Sequence, residues 1–336
     1  MRRTRASRTG QPAVKRAYSA GRLTARKNPL TGGEGMNPLE LNGSWCSYRL
    51  SRPAKVASWR SYFAEMNAFL RGFGRGSGIR APDRVLMPTT RSVAAVVTAM
   101  NEALTLSVLL RQLNRLPLSE VIVVINGSSD DSLNVARSFG ATVVHYPDPL
   151  GHDVGRAVGA RLSKSEMVLF LDGDIPVKAE QLIPFIYAVH RGVDVALNNI
   201  KPYLGPIRNW DSVTLIKEFL NRCLDRPDLS ANSLTAVPHA LSRRALDTIG
   251  TRNLTIPPKA QLIAVQSGLR ISAPASVNVI SKNKHRQHNV GAQNPVSELI
   301  MGDHVEALNL LRQSRGRRMG FADVIRKREA AGGMRP

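Results

Sequence analysis

The residues best equipped for chemistry are Asp172 and Asp174, which flank Gly173 directly after the apolar run Val168-Leu169-Phe170-Leu171. Two carboxylates around one glycine form a compact set of hard oxygen donors. Such a set suits Mg²⁺ or Mn²⁺ held jointly with the phosphates of a substrate. Gly173 lets the chain turn sharply and a ligand come close. A second polar cluster, Asn126-Gly127-Ser128-Ser129-Asp130-Asp131, follows the apolar run Glu120–Ile125. Asn-Gly makes a turn there, and Ser129 or Asp130 caps the helix after it. The Asn126 amide is also a hook for the imino hydrogen of a pyrimidine base. A third pair, Asn101-Glu102, follows the run that begins at Val93 and ends at Thr98.

These clusters need elements to hold them. Short apolar runs at Val93–Thr98, Glu120–Ile125, Ala141–His145 and Met167–Leu171 read as strands. Helical periodicity fills the gaps, over Glu102–Leu113, Asp131–Phe139 and Val154–Ser163. Alternating strands and helices with short loops predict a mostly parallel central sheet flanked by helices, an α/β fold. In such sheets ligands sit beyond the carboxyl ends of the strands, and all three polar clusters fall there.

The chain has 336 residues and a formal charge of +22, with the larger part of the excess in residues 1–90. A basic surface draws polyanions, among them nucleotide diphosphates and an anionic membrane surface. Aromatic residues make up only 5% and no nucleic-acid-reading motif occurs, so no specific nucleic-acid binding is expected. Cys46 and Cys223 make no disulfide framework. No apolar run approaches the ~20 residues that span a bilayer, and no secretory segment follows the first arginines. The expected location is the cytoplasm, with a peripheral membrane role and self-association left open. Residues 1–43 read as a disordered basic tail, since the stretch lacks apolar surface and has no acid before Glu34. Gly32-Gly33-Glu34-Gly35 before Met36 needs purine-rich codons, as a bacterial ribosome-binding site would, so Met36 is a candidate start. Residues 44–90 read as a helical extension, with an amphipathic helix over Ala57–Arg71 and a flexible linker over Gly72–Gly78. Residues 91–290 form the main domain and 291–336 a C-terminal helical extension.

With these motifs in place, Val93–Val177 resembles the nucleotide-binding half of family 2 glycosyltransferases with the GT-A (nucleotide-diphospho-sugar transferase) fold. Val96-Val97-Thr98-Ala99-Met100-Asn101-Glu102 is similar to the family's opening strand, and Ile125-Asn126-Gly127-Ser128-Ser129-Asp130 to its Asp-Asp-Gly-Ser-x-Asp turn. Phe170-Leu171-Asp172-Gly173-Asp174 is similar to its metal site. The resemblance continues more weakly through Ala240–Leu246, the acceptor-side segment. It implies transfer of a sugar from a UDP-sugar to an acceptor hydroxyl. Glu102 and Asn126 would hold the nucleoside, and Thr98 and Asn101 would also bind the substrate. Asp172, Gly173 and Asp174 would serve the diphosphate and a Mn²⁺ or Mg²⁺ ion, and Arg156 the diphosphate or base. Val277–Asn289 is similar to the C-terminal histidine segment of glucosyl-3-phosphoglycerate and mannosylglycerate synthases. That similarity makes His285 the first choice, and His288 the alternative, for completing the metal site. His304 reads instead as the start of a helix over Val305–Arg312, with Asp303 near its cap.

The pattern also departs from the family. Thr98 stands where a proline is usual, and Ile125 where an aspartate is. Inverting members carry an acid after the acceptor segment as general base, but Leu254–Ala260 contains none. Asp211 and Asp303 are the nearest spare carboxylates. A retaining mechanism, or a catalytically impaired nucleotide-sugar-binding protein, would also fit that gap. A sugar-nucleotide pyrophosphorylase is the remaining rival, yet it needs a Gly-x-Gly-Thr-Arg loop near the first strand, and Thr98–Ala103 offers none.

Overall fold

The computed structural model describes residues 11–28, 36–50, 56, 58–279 and 295–327. Strands β1 (Val93–Ala99), β2 (Glu120–Asn126), β3 (Thr142–Tyr146), β4 (Met167–Asp172), β5 (Val195–Asn198), β6 (His239–Ser242) and β7 (Ile271–Ala275) form one sheet in the order β3-β2-β1-β4-β6-β5-β7. β1, β2, β3 and β4 are parallel. β6 runs antiparallel to both β4 and β5, while β5 and β7 are parallel. The sheet is thus mixed on one side of β4, where the sequence predicts only a mostly parallel arrangement.

β1 reads VAAVVTA and is buried almost throughout, as expected of a central strand covered on both faces. Alternate residues feed two cores. Val93, Ala95, Val97 and Ala99 face one, with α4 (Ala103–Leu113), α5 (Ser132–Ser138) and α7 (Ala179–His190). Ala94 and Val96 face the other, with α6 (Val154–Leu162), α9 (Arg243–Ile249) and α10 (Pro257–Gln266). The predicted and observed boundaries in this half differ by a residue or so. A third, smaller core joins α8 (Ser212–Cys223) and α10 to α11 (Pro295–Arg315) through Leu220, Leu262, Ala307 and Leu311. α11 extends well upstream of the predicted Val305 start. Asp303 and His304 therefore lie inside the helix, not at its cap.

The N-terminal region departs most from the sequence reading. Residues 1–43 were expected to be disordered, but Gln11–Lys27 forms helix α1, and α2 (Pro38–Leu50) begins before residue 43. The proposed linker Gly72–Gly78 is mostly the last turns of α3 (Trp59–Ser77). The physical reason is a pair of small-residue stripes at four-residue spacing. Ala17, Gly21 and Ala25 are buried on α1, with Gly21 against the Phe69 and Phe73 backbone of α3, while Gly72 of α3 lies against Tyr18 and Gly76 against Ala25 and Arg22. A Cβ at Gly21 would collide with the Phe69 carbonyl, and one at Gly72 with the Tyr18 carbonyl. The two backbones therefore approach more closely than helices carrying larger side chains do.

α2 and α3 dock on the segment that leads into β1. Trp45 Nε1 donates to Tyr62 Oη at 3.0 Å, and Tyr62 Oη donates to the Leu86 carbonyl at 2.8 Å. The Asn42 amide donates to the Thr89 carbonyl and accepts from the Met87 N–H. Cys46 and Cys223 are free and buried, and burial pushes the Cys46 thiol up to about 12. Among the described residues no helix is long and apolar enough to cross a membrane.

Candidate functional site

A pocket opens beyond the carboxyl ends of β1, β2 and β4. Thr98, Glu102, Asn126, Arg156, Asp172 and Asp174 all line it, together with the 149–153 loop and Gly155. Register explains the convergence: Thr98 pairs with Asp172 across β1 and β4, and Ala99 with Ile125 across β1 and β2. The three polar clusters of the sequence thus end on one rim.

Asp172 is held by two neighbours in the pocket. Thr98 Oγ1 donates to its Oδ1 at 3.0 Å, so the threonine in the usual proline position supplies a hydrogen bond. Arg156 Nη2 donates to Oδ2 at 3.1 Å and to Oδ1 at 3.3 Å. The Gly173 N–H donates to the Thr98 carbonyl at 2.8 Å, and a Cβ there would crowd Ala99. This locks the turn that presents Asp174.

Arg156 lines the pocket and is paired with the protein's own acids. It is only 6% exposed. Nη1 pairs with Asp153 Oδ1 at 2.7 Å and donates to the Leu234 carbonyl at 3.2 Å, and Nε is buried without a hydrogen-bond partner. Burial opposes its charge, but the carboxylates of Asp153 and Asp172 outweigh that and raise its pKa. Two glycines in α6 make the geometry possible. Gly155 lies against Thr98 and Gly159 against Val96, so the helix sits directly on β1. Arg156 is thereby brought level with the end of β4.

The two proposed nucleoside hooks are engaged by the protein itself. Asn126 Oδ1 accepts from the Leu150 N–H at 2.6 Å, and its Nδ2 donates to the Gly151 carbonyl at 3.1 Å. Both ends of the amide thus hold the 149–153 loop beside the pocket, and each keeps a second hydrogen-bonding site. The Glu102 side chain is buried and accepts from Thr105 Oγ1 at 2.7 Å. Asn101 does not line the pocket. Its Oδ1 accepts from the Ser129 N–H at 2.8 Å and ties the β1 and β2 loops together, from a left-handed backbone at φ 56.

The spare carboxylates separate. Asp211 caps α8, accepting from the Thr214 N–H at 2.7 Å. Asp303, on α11, is pushed up to about 6 by burial and by the charges of Asp153 and Glu306. His304 is fully buried within α11, with Nδ1 against the Ile300 carbonyl at 2.7 Å. His285 and His288 lie outside the described residues.

Three neighbours escaped the sequence reading. Asp153 was legible in principle as an acid three residues before Arg156 on a helix. Lys217 on α8 is lowered to about 8 by burial, which the Asp211 and Asp153 carboxylates oppose. His239 stacks on Phe170 at 5.1 Å, and burial and then the Arg156 charge lower it to about 3. Neither of these two has a local sequence signal, because tertiary burial creates both.

A strand-end acid pair beside a polar pocket lies where α/β sheets bind their ligands. Residues 94–250 match the family described as Glycosyl transferase family 2. The sheet and flanking helices form the α/β fold that the resemblance implies. A relative, 4,4'-diaponeurosporenoate glycosyltransferase of Staphylococcus haemolyticus, is 29% identical over 123 residues, 34% of this chain and 33% of that protein. The chain thus matches about a third of that relative's length. Similar solved structures include glucosyl-3-phosphoglycerate synthase from Mycobacterium tuberculosis in complex with phosphoglyceric acid (19% identity, TM-score 0.48, covering 70% of this chain and 82% of that one). The same enzyme with Mn²⁺, UDP and glucosyl-3-phosphoglycerate aligns at 18% identity and TM-score 0.47, with the same coverage.

Proposed function

We propose that the chain is a glycosyltransferase that takes its sugar from a UDP-sugar, with Mg²⁺ or Mn²⁺ at Asp172 and Asp174, and passes it to an acceptor hydroxyl. The observation that carries the reading is the gathering of Thr98, Glu102, Asn126, Arg156, Asp172 and Asp174 around one pocket. The donor chemistry of the acid pair fits a hard divalent cation. Among the described residues no group of three or more His, Cys, Asp or Glu forms a closed metal cage. That suits Mg²⁺-type sites, where substrate phosphates and water complete the coordination. A bound cation would neutralise charge on the departing diphosphate.

The chain's own residues do the rest. As the bond from the anomeric carbon to the β-phosphate oxygen breaks, negative charge gathers on the diphosphate. Thr98 and Arg156 hold Asp172 in place beforehand, so little reorganisation is needed as that charge develops. The acceptor oxygen forms the new bond and gives up its proton. Of the two spare carboxylates, Asp303 is the candidate to receive it. Asp211 is committed to its helix.

A thermal-shift series tests the reading. A ligand that binds only the folded chain raises the melting temperature by mass action. UDP and UDP-sugars should do so with Mn²⁺ and much less with EDTA. Stabilisation by GDP but not UDP would overturn the nucleotide assignment, and equal stabilisation in EDTA would overturn the metal.

A further inference from the structure

Asp153 precedes α6 with a left-handed backbone, φ 62. Residues other than glycine adopt that conformation seldom, and keep it where their surroundings fix it. Its side chain makes no hydrogen bond to the end of α6. It turns instead to Arg156, whose Nη1 lies 2.7 Å from Asp153 Oδ1. The side chain of Asp153 is 12% exposed. Arg156 thus divides one positive charge between two carboxylates, Asp153 on one side and Asp172 on the other. The other charges felt at Asp153 are Asp172, His152, Lys217 and, from α11, Asp303.

We propose that Asp153 is a positioning residue that sets how strongly Arg156 grips Asp172, and so decides how well the acid pair holds a divalent cation. The inference rests on the reading of this pocket as a metal-assisted donor site. The reasoning is electrostatic. While Asp153 is charged, it offsets much of the guanidinium, and Asp172 keeps negative charge to offer a cation. Without that offset, the full guanidinium charge falls on Asp172 and competes with the metal. The same uncompensated charge attracts a diphosphate that arrives without metal. Loss of Asp153 should therefore weaken cation binding and strengthen metal-free nucleotide binding. A mere packing defect would weaken both.

Asp153→Asn is the suitable variant, because the two side chains have the same shape and asparagine tolerates left-handed backbone. Calorimetry on the full chain would use Mn²⁺ alone, and then UDP in EDTA. The Mn²⁺ dissociation constant should rise about tenfold, the usual cost of removing a partner behind a metal ligand. UDP in EDTA should bind roughly threefold tighter, as one released positive charge predicts. Asp153→Gly, which also suits the backbone, should show the same two signs if Asp153→Asn folds poorly. Both affinities falling together, or neither changing, would overturn the role of Asp153. A wild-type chain that binds neither Mn²⁺ nor UDP would instead overturn the donor-site reading, and the inference with it.

Discussion

Gly155→Ala probes how the fold builds the site. A Cβ at Gly155 would meet Thr98 Cγ2 at 2.7 Å. Ordinary contact begins near 3.4 Å, so something must yield by about 0.7 Å. There are two ways to yield, and both disturb Asp172. If α6 lifts, the Arg156 Nη2 contacts of 3.1 and 3.3 Å stretch to about 3.8–4.0 Å, beyond hydrogen-bond range. If Thr98 rotates, its Oγ1 leaves Asp172 Oδ1. Overpacking costs about 1–3 kcal/mol. The lost charge-assisted bond adds about 1 kcal/mol, discounted because the Asp172 side chain is 29% exposed. Better helix propensity returns about 1 kcal/mol. A net loss of about 1–3 kcal/mol is expected, read from the urea midpoint at constant slope. UDP affinity in Mn²⁺ should fall as well. An alanine variant that is more stable than wild type, with unchanged affinity, would refute the claim that α6 seats Arg156.

Other outcomes follow from the same contacts. Gly21→Val should destabilise the chain by about 2 kcal/mol or more, because α1 cannot approach α3 past the Phe69 carbonyl; an unchanged melting temperature would mean that α1 contributes little to the fold. Asp211→Ala should cost about 1 kcal/mol of stability as a lost helix cap, and a drop in turnover of about a hundredfold or more would make it the base instead. Stability should also rise with pH between about 4 and 6.5. His239 and His304 have folded pKa values lowered to about 3 and about 4. The unfolded chain therefore holds protons there that the folded chain does not. Their contribution is full above 6.5 and is lost as pH falls towards the folded values. Asp303, raised to about 6, works the other way, because its proton stays on the folded chain. These three groups together should contribute a slope near one proton, about 1.4 kcal/mol per pH unit. His239→Asn should flatten it, and an unaltered slope in chemical denaturation would count against a neutral buried His239.

The half of the sheet from β1 to β4 was legible because its strands are continuous apolar runs, and polar turns separate them from helices with clear periodicity. The rim was legible for the same reason: Thr98, Asn126 and Asp172 each close such a run. What a ligand would meet there was not. Asn126 reads as a base hook, and its amide also holds the backbone of Leu150 and Gly151. No local pattern announces a partner some 25 residues away. β6 has only four residues and runs antiparallel beside β4, too short for periodicity to register. α1 escaped notice because it buries Ala17, Gly21 and Ala25 and not large side chains. A reading that looks for apolar bulk sees only its five exposed cations, Lys15, Arg16, Arg22, Arg26 and Lys27. The paired four-residue spacing of small residues in α1 and α3 was the available signal.

The account stands on the acid pair at the end of β4, and titrating UDP into wild type and Asp174→Ala, each with Mn²⁺ and with EDTA, tests it most directly. Wild type should bind UDP in a Mn²⁺-dependent manner, and the alanine variant should lose at least about a hundredfold of that affinity while keeping its melting temperature. Equal UDP affinity for the two proteins in Mn²⁺ would contradict it.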